Sequence, residues 1–403
     1  MKSVNDTFCI LPWMHLATNA SGNLRVCCNS TPGKNFIMKD DNQIYKIQRD
    51  DVEEAWNSET YKTIRSQMLN GERPEMCARC FKEEDVGIWS TRQAWNVKWK
   101  EDKEYTVDAP FDIRYVDIRL GNLCNLKCRM CNPYASNQWV KEWKLIDPNA
   151  NEEELTRLKN LTWPEDEKTW DNLFSIVDTV KEIYLTGGEP TIIKEQFKLL
   201  DYCVKHGYSK KIKLKYNTNL TNIPQDLVQA WKDFKQVQLN CSIDAVGDLD
   251  RYIRYPSNWS KIQENFDLIQ KLDNKYIEIH NTVQMYNILR LDEFIEWAKP
   301  YGHKIYFNIL NHPEVLNIRV LPNDMKEEIL VKFDEFLSWC QDQDLPANTL
   351  NKAIDIRNSV VKYMTSESYY DTHWNEFLKY TQDLDRIRGE SLLDIEPMFS
   401  EYI

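Results

Sequence analysis

The 403-residue sequence has no dense run of Lys or Arg, no apolar stretch free of charge that approaches the roughly 20 residues of a membrane span, and only 11 glycines against 15 prolines. Each shortage excludes a class. With 51 Lys and Arg against 63 Asp and Glu, the formal charge is −12, and nonspecific nucleic-acid binding, which needs clustered cations to neutralise phosphates, is not expected. No membrane span is expected either. A hydrophobic content of 42% and an aromatic content of 12% describe a folded globular chain rather than a fibrous or disordered one. No internal repeat or low-complexity segment is present. The run Phe8 to Ala17 imitates a short signal-peptide core, but Asp6 precedes it and Pro12 and His15 interrupt it. It reads as mature protein with a cytoplasmic location.

Cysteine, by contrast, is plentiful: eleven residues, at 9, 27, 28, 77, 80, 124, 128, 131, 203, 241 and 340. The number is odd and the positions are clustered, so metal or redox chemistry is expected rather than a disulfide framework. Residues 1–105 read as a small cysteine-bearing unit: a hairpin turning at Ser21-Gly22-Asn23 into Leu24–Cys28, then one helix over Val52–Leu69. From Tyr115 the pattern alternates. Strands are predicted at Tyr115–Leu120, Glu182–Leu185, Lys211–Tyr216, Gln236–Ile243, Tyr276–Val283 and Lys304–Leu310. Amphipathic crossovers are predicted at Phe197–His206, Leu227–Phe234, Ile262–Leu272 and Leu291–Lys299. Six βα units predict an α/β fold with a parallel sheet curled into an open, partial (β/α)6 TIM-like barrel over 112–321. The acidic insertion Asp147–Asp171 reads as a solvated loop with helix, and 322–403 as a helical extension.

The first barrel strand runs through Gly121-Asn122-Leu123 into Cys124-Asn125-Leu126-Lys127-Cys128-Arg129-Met130-Cys131. Three thiolates on one short loop can hold three irons of a cubane, leaving the fourth iron open to a small molecule. A zinc knuckle that borrows a fourth ligand is the alternative. The second strand ends in Thr186-Gly187-Gly188-Glu189-Pro190, where two residues without Cβ let the backbone approach a ligand and the glutamate can orient an ammonium group.

With these two loops at adjacent strand ends, the sequence resembles the radical S-adenosylmethionine (radical SAM) superfamily. The resemblance implies that Cys124, Cys128 and Cys131 ligate a four-iron, four-sulfur cluster whose open iron is chelated by SAM, and that Gly187, Gly188 and Glu189 belong to the methionine site. Met130 stands where the family usually has an aromatic near the adenine. Thr218-Asn219 matches a Thr-Asn-Gly pattern, with Leu220 in place of the glycine. Ser242 and Arg254 are implied to hold the SAM carboxylate and Asp244 to lie near the ribose; Arg suits a carboxylate because its charge is permanent and its donors form a fork. Reduced flavodoxin or ferredoxin is the implied electron donor, and the substrate a small molecule or a peptide. A non-catalytic iron–sulfur or zinc protein that retains the fold is the alternative, and it predicts no SAM binding.

The spacing Cys9-x12-Gly22-x4-Cys27, followed by Cys77-x2-Cys80, is similar to the twitch half of the SPASM domain, here preceding the barrel rather than following it. This resemblance implies a second, auxiliary four-iron cluster held by Cys9, Cys27, Cys77 and Cys80. Cys28 is the alternative to Cys27, since neighbours in a strand face opposite ways. A four-cysteine zinc ribbon is the alternative for the whole group. Cys203, Cys241 and Cys340 read as buried apolar thiols, and His312 and Glu314 as loop residues within reach of a substrate mouth.

Overall fold

The structure is a computed structural model that describes residues 5–30, 35–85, 87, 89–101, 103–342 and 347–402. Its centre is one eight-stranded sheet: β1 (His15–Thr18), β2 (Leu24–Arg25), β3 (Tyr115–Arg119), β4 (Glu182–Thr186), β5 (Lys213–Thr218), β6 (Gln236–Ser242), β7 (Lys275–Val283) and β8 (Lys304–Ile309). The strand order is β2-β1-β3-β4-β5-β6-β7-β8. From β3 to β8 every neighbour is parallel. All six predicted strands are therefore present and in sequence order.

Alternation along these strands sorts the two faces. Val116, Ile118, Ile183, Leu185, Leu214, Leu239 and Ile279 point outward into one continuous apolar core. The intervening positions are polar: Asp117, Arg119, Tyr184, Thr186, Asn217 and Ser242 line a cavity on the concave side. Sheets of this kind usually bury apolar side chains on both faces, so a polar inner face marks a surface kept for a ligand. Crossover helices Gln196–Lys205, Gln225–Trp231, Trp259–Ile269 and Leu291–Ala298 close the outer face through fully buried Leu200, Leu227, Trp231, Phe266 and Phe294. Each such side chain contributes about 1.5–3 kcal/mol of burial.

Two expectations are corrected and one is extended. The expected N-terminal hairpin joins the barrel sheet: β1 pairs in parallel with β3, His15 opposite Tyr115, and extends that sheet at its edge. The helix expected over Val52–Leu69 is two, Val52–Trp56 and Glu59–Leu69, because Ser58 takes an extended N-cap conformation (φ −65°, ψ 157°) that ends the first turn and starts the second. The insertion after Asp147 is not solvated throughout. Trp163 and Trp170 are buried, Trp163 Nε1 donates to Ala20 O at 2.8 Å, and Asn172 donates to Ile47 O and Asp50 O, both at 2.8 Å, so this segment braces the hairpin.

After Pro322 the chain is helical, as expected, with long helices Asn323–Asp342, Ala347–Ser366 and Tyr370–Arg388. They form a second apolar core with Leu249, Ile253, Tyr286 and Leu289, from segments that follow β6 and β7. Among the described residues no helix is long and apolar enough to cross a membrane.

Candidate functional site

At the C-terminal edge of β3 the chain turns at Gly121, whose φ of +78° favours glycine, and enters the loop that carries Cys124, Cys128 and Cys131. Neighbouring elements fix this loop by its backbone. Lys127 N donates to Tyr255 O at 2.6 Å and Arg129 N to Ile253 O at 2.8 Å. Ser136 Oγ donates to Leu126 O at 2.6 Å and Trp139 Nε1 to Cys128 O at 3.0 Å. The Arg129 side chain, fully buried, reaches Asp385 at 2.5 Å and Glu390 at 3.1 Å, with its guanidinium 3.5 Å from the Tyr252 ring centroid. Tyr380 donates to Arg129 O and Arg388 to Lys127 O, each at 2.7 Å. The C-terminal helix thus clamps the cysteine loop, a role the sequence did not reveal.

Against this loop lies the turn after β4. A Cβ built on Gly188 would stand 2.2 Å from Leu123 O, and one on Gly187 would stand 3.2 Å from Gly121 O. Only glycine permits the two loops to approach so closely. Glu189 is buried, and both its carboxylate oxygens have protein donors: Thr191 Oγ1 at 2.7 Å on one, Asn219 N at 2.6 Å on the other. It locks the turn to the end of β5 while still lining the cavity.

Cys124, Cys128, Cys131, Gly187, Gly188, Glu189, Thr218, Asn219, Ser242 and Arg254 line a single cavity of about 420 Å³. A hydrogen bond from Cys131 holds the Cys128 thiol below its usual value, with the nearby Arg254 charge acting in the same direction. Arg254 itself pairs with Asp244 at 2.7 Å. Asp244 and Met130 are not on the cavity wall: Asp244 is fully buried in its pair with Arg254, and Met130 packs between the cysteine loop and the second apolar core. His312 and Glu314 also lie off the cavity, paired with each other at 3.9 Å on the surface.

Cys9, Cys27, Cys77 and Cys80 gather on the other side of the hairpin. Burial raises the Cys9, Cys27 and Cys77 thiols, Cys27 to about 11, and their negative neighbours within the group raise them further. Asn29 donates to Cys80 Sγ at 3.4 Å. Among the described residues no three His, Cys, Asp or Glu side chains close on a single ion. Cys27 neighbours this group, whereas Cys28 lines the cavity. Cys203 and Cys241 are buried, as expected; the Cys340 side chain lies outside the described residues.

The donor sets fit cubane clusters by their chemistry. Three sulfurs with a cradle beside them suit a site that leaves one iron open, and four sulfurs suit a closed one. The radical SAM superfamily model matches residues 118–299, and an iron–sulfur cluster-binding domain of the SPASM type matches residues 9–81. The chain carries a radical SAM domain over residues 118–299. It carries its SPASM-type domain ahead of the barrel, and the family's cofactors are a SAM-binding 4Fe–4S cluster, an auxiliary cluster and SAM.

Among curated relatives, a GTP 3′,8-cyclase of Syntrophomonas wolfei subsp. wolfei is 24% identical over 246 residues, 60% of this chain and 63% of that protein. Molybdenum cofactor biosynthesis protein 1 of Dictyostelium discoideum is 24% identical over 261 residues, 62% of this chain and 38% of that protein. The chain thus spans less than two thirds of either. Similar solved structures include anSMEcpe with bound AdoMet, 19% identical with a TM-score of 0.32 over 47% of this chain and 49% of that one. Streptococcus suis SuiB bound to S-adenosylmethionine is 14% identical with a TM-score of 0.35 over 69% and 63%.

Sequence reasoning about the site omitted Thr18, Arg25, Asp117, Arg119, Tyr184 and Asn217, all on the cavity wall. The signal was there. Asp117 and Arg119 alternate with apolar Val116 and Ile118, the mark of a strand with one polar face.

Proposed function

We propose that this chain reductively cleaves SAM and uses the resulting radical to remove a hydrogen atom from a small-molecule or peptide substrate, in an oxidative modification. The observation that carries the reading is the convergence of the three loop cysteines, the glycine turn, Ser242 and Arg254 on one cavity. When bound, the cluster and SAM supply a 5′-deoxyadenosyl radical after one-electron reduction. The chain's own residues do the rest. Cys124, Cys128 and Cys131 hold the cluster, and Gly187 and Gly188 admit the methionine moiety close to the backbone. Arg254 and Ser242 meet its carboxylate, while Thr218 and Asn219 fix the β5 edge of the pocket. Asp244 and Glu189 act as positioning residues, one orienting Arg254 and the other tying the glycine turn to Asn219. The walls exclude water and competing hydrogen donors, and so direct the radical to the substrate.

The likeness to GTP 3′,8-cyclases favours a small polar molecule over a peptide. The auxiliary centre of Cys9, Cys27, Cys77 and Cys80 would accept the electron that the oxidised substrate releases. Reduced flavodoxin or ferredoxin in the cytoplasm is the proposed electron donor.

The test is anaerobic reconstitution followed by dithionite and SAM. The parent protein is expected to form 5′-deoxyadenosine and methionine, and Cys128→Ala to form neither, because two thiolates do not hold the cluster. Formation by Cys128→Ala equal to the parent would refute the cysteine assignment. Absence of product from a fully reconstituted parent would favour a non-catalytic iron–sulfur protein.

A further inference from the structure

Cys27 and Cys28 are adjacent and face opposite ways. Cys27 joins Cys9, Cys77 and Cys80, whereas Cys28 lines the same cavity as Cys124, Cys128, Cys131, Gly187 and Arg254. None of the cofactor roles proposed above uses Cys28. It shares this wall with Asp117, from the middle of β3, and burial together with the Asp117 charge pushes the thiol up. Asp117 is only 3% exposed and lines the cavity, yet its Oδ2 has no hydrogen-bond partner. A buried carboxyl oxygen left unpaired is costly, so this oxygen is aimed at whatever occupies the cavity. The pair therefore presents an S–H group and a free acceptor in the cavity that the residues assigned to SAM also line.

We infer that Cys28 donates a hydrogen atom to carbon radicals formed in this cavity, with Asp117 orienting the thiol and accepting a hydrogen bond from the occupant. The inference rests on the radical SAM reading. An S–H bond is weaker than an alkyl C–H bond, so transfer from sulfur to a carbon radical runs downhill. A C–H bond forms, the S–H bond breaks, and the unpaired electron moves to the Cys28 sulfur. Restoring the thiol takes one electron from a one-electron reductant of the flavodoxin or ferredoxin class, or dithionite in vitro, and one proton from water or from the Asp117 carboxyl. The auxiliary cysteines, one residue away at Cys27, give that electron a short route. The substrate radical then has two exits: loss of an electron, or return of a hydrogen atom.

The donor can be tested without knowing the substrate, because thiol hydrogens exchange with solvent and carbon-bound ones do not. The full-length reconstituted protein is given SAM and dithionite in D2O without further additions, and the deuterated fraction of the 5′-deoxyadenosine formed is read by mass spectrometry. The parent is expected to yield a clearly deuterated fraction. Cys28→Ala and Cys28→Ser should both drop to the background of the reductant, since a serine O–H bond is too strong to donate although it keeps the contact with Asp117. Unlabelled product from the parent, or equal labelling in both variants, would overturn the inference and leave the proposed function standing; no 5′-deoxyadenosine at all would overturn both. A second readout needs no cofactor. Iodoacetamide applied anaerobically to the cluster-free full chain should alkylate Cys28 well before Cys203 and Cys241, both 0% exposed, and alkylation of Cys28 as slow as theirs would contradict its place in the cavity.

Discussion

Leu220 stands where relatives often have glycine, and its backbone holds a φ of +60°, a conformation that costs a residue with a Cβ about 1–2 kcal/mol. The chain accepts this because the side chain is 0% exposed within the main core. Loss of a buried leucine costs about 2–5 kcal/mol, so Leu220→Gly is expected to destabilise the protein despite relieving the backbone. Urea unfolding checks the sign, and a stabilised variant would refute it. At Arg254, truncation to Ala would remove the proposed charge-assisted contact to the SAM carboxylate, an expected loss of about 1.5–3 kcal/mol, or roughly tenfold or more in Kd. An unchanged Kd, with melting measured alongside because Asp244 would lose its partner, would reduce Arg254 to a structural role. Asp250 supplies a pH signature. Burial raises its carboxyl to about 7 against the favourable Arg254 charge, so the folded state binds this proton more tightly than the unfolded chain does. Its contribution to stability is present at low pH and is lost as pH rises toward the folded value. The stability of the parent relative to Asp250→Asn should therefore be smaller at about pH 8 than at about pH 5 in urea unfolding of the cluster-free protein; a difference independent of pH would contradict the assignment.

The helix Tyr370–Arg388 was legible as a helix, but its work was not. Its contacts with the cysteine loop span 251 to 261 residues in sequence, and no local pattern encodes them. Asp385→Ala should strip the closer carboxylate from a fully buried Arg129; breaking such a pair costs about 3–5 kcal/mol, less here because Glu390 remains. The readout specific to positioning is the cluster itself, whose visible absorption should bleach faster under a chelator than in the parent; unchanged bleaching would confine Asp385 to stability alone. The six barrel strands were legible because they are rich in β-branched and aromatic residues, most of them alternating with polar ones, over five or more positions. The four-residue β1 and the two-residue β2 are too short for that signal, so their place in the barrel sheet emerged only in three dimensions. The break at Asn57-Ser58 was hidden by a continuous apolar stripe. The three loop cysteines and the glycine turn could be read from spacing and residue chemistry, and Arg254 from the resemblance to the radical SAM family, whereas the buried place of Asp244 and the occupied oxygens of Glu189 depend on neighbours distant in sequence.

On the scale of the whole molecule, one sheet carries two cysteine centres: the open one on the barrel mouth, the closed one behind a hairpin that is itself part of the sheet. The shared sheet explains how a domain that precedes the barrel in sequence still lies beside the cavity, because β1 docks directly on β3. It also makes the two centres separable by substitution, since no ligand is shared between them. Cys77 ends the 3-10 turn Glu75–Cys77 and Cys80 lies in the first turn of the helix Ala78–Asp85, away from the cavity wall. The measurement that tests this arrangement most directly is iron and zinc content per chain after anaerobic reconstitution, in the parent and in the Cys77→Ala/Cys80→Ala double variant. Two cubanes predict about eight irons in the parent and about four in the variant, with SAM cleavage retained by the untouched barrel site. One zinc per chain in the parent, with about four irons in parent and variant alike, would contradict it.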